Sequence, residues 1–334
     1  MSNRTLGPRP ASMAEPRFHL GLFVERFALV GAWLLTIIVF SIVLPGVFLT
    51  WGNFSVLFAT QAPGAVLALA LIIPLTAGDY DLSVGATLTL SAVIIGVLNA
   101  VLQWPVALAI PVSLAAGLAM GLINAFFIVY VRIPSLVVTL GSASVAAGLV
   151  QWISNSSTIS GISPALIGVI GHRFLGISLV FYYVLALACI IWIVFEYTGL
   201  GRSILFVGRS REVARLSGLN VDWIRAACLV VSSLLAALGG VAYAGLLGAA
   251  DPFSGLNYLL PAFAAAYLGA TAILPGRFNA LGALIAVYFL ATGITGLTML
   301  GIPIWVTSVF NGGALIVAVT VSQFARGREE TDIV

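Results

Sequence analysis

The side chains able to do covalent chemistry in this 334-residue chain are few and scattered. All 14 basic residues are arginine, and there is no lysine. A phosphate loop of the P-loop type needs a Lys to reach the β- and γ-phosphates, and a Schiff-base enzyme needs the same amine as nucleophile; both chemistries are excluded. Cys189 and Cys228 lie in separate apolar runs without metal-ligand spacing, and read as inert thiols. His19 and His172 are far apart and have no ligand neighbour, so no metal, haem or catalytic dyad is expected. The chain is expected to be no enzyme and to carry no cofactor.

One segment is patterned for recognition instead. Glu196–Arg225 reads EYTGLGRSILFVGRSREVARLSGLNVDWIR and is the longest charged stretch inside the chain. Ser210 is placed to cap a short helix from Arg211 to Ser217, with Glu212 in its first turn and Gly218 as terminator. Val213 and Leu216 share one face of that helix, and Arg211 and Arg215 share another. So short a helix is unstable alone in water, and two like charges four residues apart cost a further ~0.2–0.5 kcal/mol. It gains by docking into a groove of a soluble partner that supplies apolar contact and acidic groups.

The elements that position this loop must live in lipid. Only 7% of the residues are charged and 61% are hydrophobic, whereas a soluble domain carries about 25% charged residues. Uncharged runs cover Phe27–Gly78, Leu82–Val131 and Phe278–Ala325, each longer than the about 20 residues of one helical crossing, and turn residues divide them. The expected fold is an all-α membrane protein with about ten transmembrane helices, near 27–49, 56–77, 83–102, 106–130, 136–153, 175–195, 227–248, 258–274, 279–298 and 303–323. Residues 1–25 and 326–334 are expected as tails of a transmembrane domain over 26–325, with the loop at 196–225. The loop arginines orient it: with both termini cytoplasmic, Arg173 alone of the 14 falls outside. The net charge of +3 is thus a matter of topology, and no nucleic-acid partner is expected. In the seventh expected span Ala236, Gly240, Ala244 and Gly248 form a small-residue stripe, which predicts a close helix contact. No ionisable side chain falls near the centre of an expected span, which disfavours ion-coupled transport.

The loop resembles the coupling-helix region of ribose-type sugar permeases of ABC importers, through Gly201, Arg202, Ile204, Gly208, Ala214, Arg215, Leu216, Ser217, Gly218 and Leu219. A second similar segment is LTAGDYDLSVGATLTLS, through Leu75, Thr76, Gly78, Asp81, Leu82, Ser83, Val84 and Gly85. A third is NAFFIVYVRIPSLVVTLGSAS, through Asn124, Arg132, Ile133, Pro134, Thr139, Leu140 and Gly141. The resemblance runs from about residue 55 to 325 in order. It departs at LGATAILPGRFNALG, where Pro275 and Arg277 replace glycines, and at Asp79, an extra acid beside Asp81. In physical terms Asp81 is placed to cap the third expected span, and Pro134 suits the first turn of the fifth.

The resemblance implies a multi-pass protein of a bacterial inner membrane, the permease subunit of an ABC importer for a sugar or sugar-like solute. It implies ATP-binding cassette ATPase subunits as partners, held through Arg211, Glu212, Val213, Arg215, Leu216 and Gly218. It also implies a solute-binding protein received near Ser154–Leu175, and a second permease subunit in a homodimer within the lipid bilayer. A sugar path needs uncharged hydrogen-bonding side chains that release the solute easily. The candidates inside expected spans are Gln61, Asn124, Thr139, Ser142, Tyr267, Thr271 and Asn311, each equally suited to an interhelical hydrogen bond. The alternatives are a permease of the same superfamily for branched-chain amino acids or nucleosides, and an ATP-independent channel or facilitator.

Overall fold

The computed structural model describes residues 20–303 and 305–331, with side chains over 26–303 and 305–322. Of the two expected tails, residues 1–19 and 332–334 lie outside the described residues.

α1 (Leu20–Val43) leads through a turn at Gly46 into α2 (Trp51–Thr60) and α3 (Ala62–Thr76). α4 (Val84–Ile95) and α5 (Val106–Ala125) each run on into a π-helical turn, Gly96–Val101 and Phe126–Tyr130. After α6 (Ser135–Ser154) comes a short mixed stretch: β1 (Ile159–Ser160), α7 (Pro164–Gly171), β2 (Arg173–Phe174) and β3 (Ile177–Ser178). α8 (Leu179–Tyr197) is followed by two short helices, α9 (Gly199–Arg209) and α10 (Arg211–Leu216). α11 (Val221–Leu247), β4 (Ala249–Ala250), α12 (Ser254–Gly269), α13 (Ala280–Met299) and α14 (Trp305–Thr331) complete the order. β1 pairs antiparallel with β4, Ile159 opposite Ala250, and β2 with β3.

This is an all-α membrane protein. Among the described residues, eight helices are long and apolar enough to cross a bilayer, and the α2–α3 pair, bent by 45°, makes a ninth. The eighth expected span, 258–274, corresponds to α12, whose 16 residues rise about 24 Å, short of the about 30 Å hydrocarbon core. The ten expected spans thus resolve into eight long helices, one bent pair and one short helix. α14 continues as a helix past residue 325, where a tail was expected.

α3 forms the axis of the bundle. Its sequence, APGAVLALALIIPLT, is apolar all round, and every one of its residues is buried, as a helix without a polar stripe requires. α11 packs against α3, α4 and α5 through small residues that let backbones approach. A Cβ on Gly121 of α5 would lie 2.7 Å from Val230 Cα, and one on Gly240 of α11 would strike the Leu88 carbonyl of α4. Ala236, Gly240 and Ala244 of the expected stripe are buried, while Gly248 ends α11 with φ +64°. α1, α6 and α14 turn apolar side chains such as Leu35, Ile42, Val137, Val145 and Ile316 outward, the surface that lipid covers.

Candidate functional site

The arginine-rich end of the bundle is built on α9 and α10. Thr198 caps α9 by accepting from Gly201 N at 3.3 Å. Near its other end, Gly208 lies so close to the Thr76 carbonyl that a Cβ there would collide with it, which seats α9 on the last turn of α3. Ser210 breaks the two helices with extended backbone, and its Oγ accepts from Val213 N at 3.4 Å, capping α10. Gly218, at φ +85°, ends it: Gly218 N donates to Arg215 O and Leu219 N to Ala214 O. Cap and terminator are the residues expected from the sequence.

The two faces of α10 are also as expected, and the arginine face has acids within reach in this chain. Ala214 is buried, whereas Glu212, Val213 and Leu216 are exposed, Leu216 by 88%. Arg211 Nη2 donates to Gly78 O at 2.8 Å and to Asp79 Oδ1 at 3.0 Å, and Arg215 donates to Asp222 in the first turn of α11.

Asp79, whose role the sequence left open, is the hub. Arg225 of α11 donates to it twice, from Nε to Oδ2 and from Nη2 to Oδ1, both at 2.7 Å. Its carboxylate is only 3% exposed and carries two guanidinium partners, the charge-assisted geometry that makes burial of an acid tolerable. One side chain thereby ties α10, the α3–α4 turn and the foot of α11. A cavity of about 550 Å³ opens beside the tie, lined also by Arg132 and Pro134.

Two residues further on, Asp81 is fully buried, an ionisable group in the interior that the span boundaries did not anticipate. Its Oδ1 accepts from Ser83 N (3.0 Å) and Ser83 Oγ (2.6 Å), and its Oδ2 from Ser232 Oγ of α11 (3.0 Å). Burial pushes its pKa up, and the Ser83 and Ser232 donors oppose that shift. The N-cap of α4 is Ser83; Asp81 serves the helix start from two residues earlier.

The seven path candidates fall into separate places. Asn124 is buried and donates to Ser83 Oγ at 2.8 Å, leaving its Oδ1 without a partner. Thr139 Oγ1 donates to Ser135 O and, at 3.4 Å, to Tyr80 O, and Tyr267 donates to the Tyr80 hydroxyl at 3.3 Å; the structure brings these two together around Tyr80. Ser142 and Thr271 return their hydroxyls to carbonyls of the preceding turn, Thr139 O and Leu268 O. Gln61, at the bend between α2 and α3, and Asn311 of α14 line one cavity of about 250 Å³. At the departure segment, Arg277 pairs with Glu196 at 3.5 Å. Asn279 closes the α12–α13 corner: its Oδ1 accepts from Gly282 N, and its Nδ2 donates to Gly269 O and Ala272 O. Asn279 was missed in the sequence, although an Asn before an apolar run is itself a capping signal.

Residues 53–319 match the family described as branched-chain amino acid transport system / permease component. The autoinducer 2 import system permease protein of Photorhabdus laumondii subsp. laumondii is 31% identical over 76% of this chain and 78% of its own. The D-allose transport system permease protein of Escherichia coli is 26% identical over 94% of this chain and 96% of its own. The xylose transport system permease protein of the same species is 26% identical over 92% and 94%. With the family match running from α2 into α14 and these relatives aligned along most of their length, the chain belongs to the permease-component family of branched-chain amino acid transport systems, the superfamily its three motifs resemble.

Proposed function

We propose that this chain is the membrane-spanning subunit of an ABC importer in a bacterial inner membrane, carrying a sugar or sugar-like solute and driven by a separate ATPase that grips α10. The observation that carries this reading is the state of α10. Its arginines are held inward by Asp79 and Asp222, while Leu216, Val213 and Glu212 lie open. A six-residue helix gains little from its own backbone, and its largest apolar side chain faces outward. A groove on a soluble partner would cover that side chain and Val213. Closure of the partner would then displace α10, and the Asp79 tie would carry the displacement into the α3–α4 turn and the foot of α11.

Support for a sugar comes from the relatives named for D-allose and xylose. A solute-binding protein would meet the opposite end, around α7, and two copies of the chain would form the transporter. A branched-chain amino acid is the second reading, favoured by the description of the family. Thermal shift of the cognate binding protein with sugars and with leucine separates the two.

The main test uses Leu216→Asp and Glu212→Arg. Both are expected to insert normally, to lose the soluble ATPase on purification in mild detergent, and to abolish ATP-driven uptake. Normal uptake by either variant would refute the reading, and so would accumulation against a gradient by the chain alone in liposomes, the outcome a channel or facilitator cannot give but a self-powered pump would.

A further inference from the structure

Several polar side chains inside this bundle are satisfied by their own helix, as Thr76, Ser154 and Thr292 show by donating to carbonyls one turn back. The cavity of about 250 Å³ among α3, α12, α13 and α14 gathers polar side chains that are not. Gln61, Asn257, Thr307 and Asn311 all line it, and among the described residues none of their side chains has a hydrogen-bond partner in the protein. For Asn311 the unpartnered Oδ1 is fully buried, and a buried acceptor left unmade costs about 1–3 kcal/mol. The backbone adds an acceptor. Pro261 stands inside α12 and also lines the cavity; having no N–H, it leaves the carbonyl of Asn257, four residues earlier, without its helical donor. Gln61 sits where α2 and α3 part at 45°, the kind of helix break at which membrane transporters place solutes.

We infer that this cavity is a binding site, within a single copy of the chain, for one small uncharged polyhydroxylated solute. The lining offers carboxamides and a hydroxyl, which both donate and accept, and it offers no charge. That suits alternating hydroxyl groups and leaves the carboxylate and ammonium of an amino acid without counter-charges. The volume is just below the about 300–1,000 Å³ of pockets for drug-sized ligands, room for one monosaccharide. Binding by neutral hydrogen bonds alone is weak enough to release the solute, as a path requires. The inference rests on the importer reading above and names where in the membrane its solute is held.

The test uses the full-length chain in lipid nanodiscs, with Cys189 and Cys228 replaced by alanine and Thr307→Cys introduced. The rate of reaction with a small water-soluble methanethiosulfonate is measured with D-xylose, D-allose or leucine present. D-Xylose or D-allose is expected to slow the reaction and leucine is not. Adding Asn311→Leu, or separately Gln61→Leu, should weaken that protection by roughly three- to tenfold per hydrogen bond lost. A thiol that does not react, protection by leucine, absence of protection by both sugars, or protection that survives both second substitutions would each overturn the assignment. Failure here with ATP-driven sugar uptake intact sinks the cavity alone, whereas absence of any ATP-driven uptake by the complete transporter sinks the importer reading.

Discussion

Arg211, the first residue of α10, reaches across 132 positions of sequence to place one guanidinium nitrogen 3.0 Å from the Asp79 carboxylate. The same carboxylate is held twice by Arg225, so a helix that faces outward is fixed to two elements that face inward.

The hub and its outer arginine should respond differently to mutation. Asp79→Ala leaves Arg225, 12% exposed, charged and unpaired, and should destabilise the protein by about 3–5 kcal/mol. Arg211→Ala removes a guanidinium that is 43% exposed and should cost less than about 1 kcal/mol, while still severing α10 from the α3–α4 turn. Thermal unfolding in detergent should therefore separate the two variants, and solute uptake per ATP hydrolysed should fall in both. An Arg211→Ala variant that transports at full coupling would remove the tie from the mechanism.

Gly208 and Gly218 flank the same helix but are needed for opposite reasons. A Cβ at Gly208 meets the Thr76 carbonyl, whereas Gly218 has open space around it and a φ of +85°. Gly208→Asn should force α9 off α3, with an overpacking cost of about 1–3 kcal/mol and loss of uptake. Gly218→Asn should be tolerated, because Asn enters the left-handed region readily. Uptake assays on both variants at matched membrane expression decide it; equal effects would contradict the distinction.

Ser210→Ala removes the only side-chain cap of α10 and should cost about 1 kcal/mol locally. Amide hydrogen exchange over 211–217 should then quicken by roughly fivefold, with exchange in α11 unchanged. No change in α10 would mean that the 3.4 Å contact contributes nothing.

What the sequence disclosed followed from local signals. The spans were legible because uncharged runs alternate with arginine-bearing turns, and α10 because Ser210 and Gly218 are cap and stop within one short motif. Asp79 was opaque, since its partners lie 132 and 146 residues away and no local pattern encodes them. The early end of α12 was hidden for the same reason: Asn279, ten residues on, claims the Gly269 carbonyl. The break at Gln61 did leave a trace in Pro63, in the first turn of α3, but a proline near a helix start reads equally as an ordinary first turn. Of the path candidates, composition found polar residues without telling those that cap their own helix from those left open to a cavity.

Asp81 carries the last prediction. Its carboxyl is buried and its pKa raised by that burial, while in the unfolded chain it titrates near 3.9. The folded protein therefore holds this proton more tightly than the unfolded one, and the stability due to this group is fullest below about pH 4 and declines as pH rises through the folded value. Asp81→Asn keeps an acceptor for Ser83 N and Oγ and can donate to Ser232 Oγ, so every hydrogen bond of the site has a counterpart without a charge to bury. The variant should be at least as stable as the parent at neutral pH and should lose the decline between acid and neutral pH. Melting of both proteins across that range is the measurement. A variant that melts well below the parent at neutral pH would show that the ionised carboxylate itself, and not merely its hydrogen bonds, holds α4 to α11.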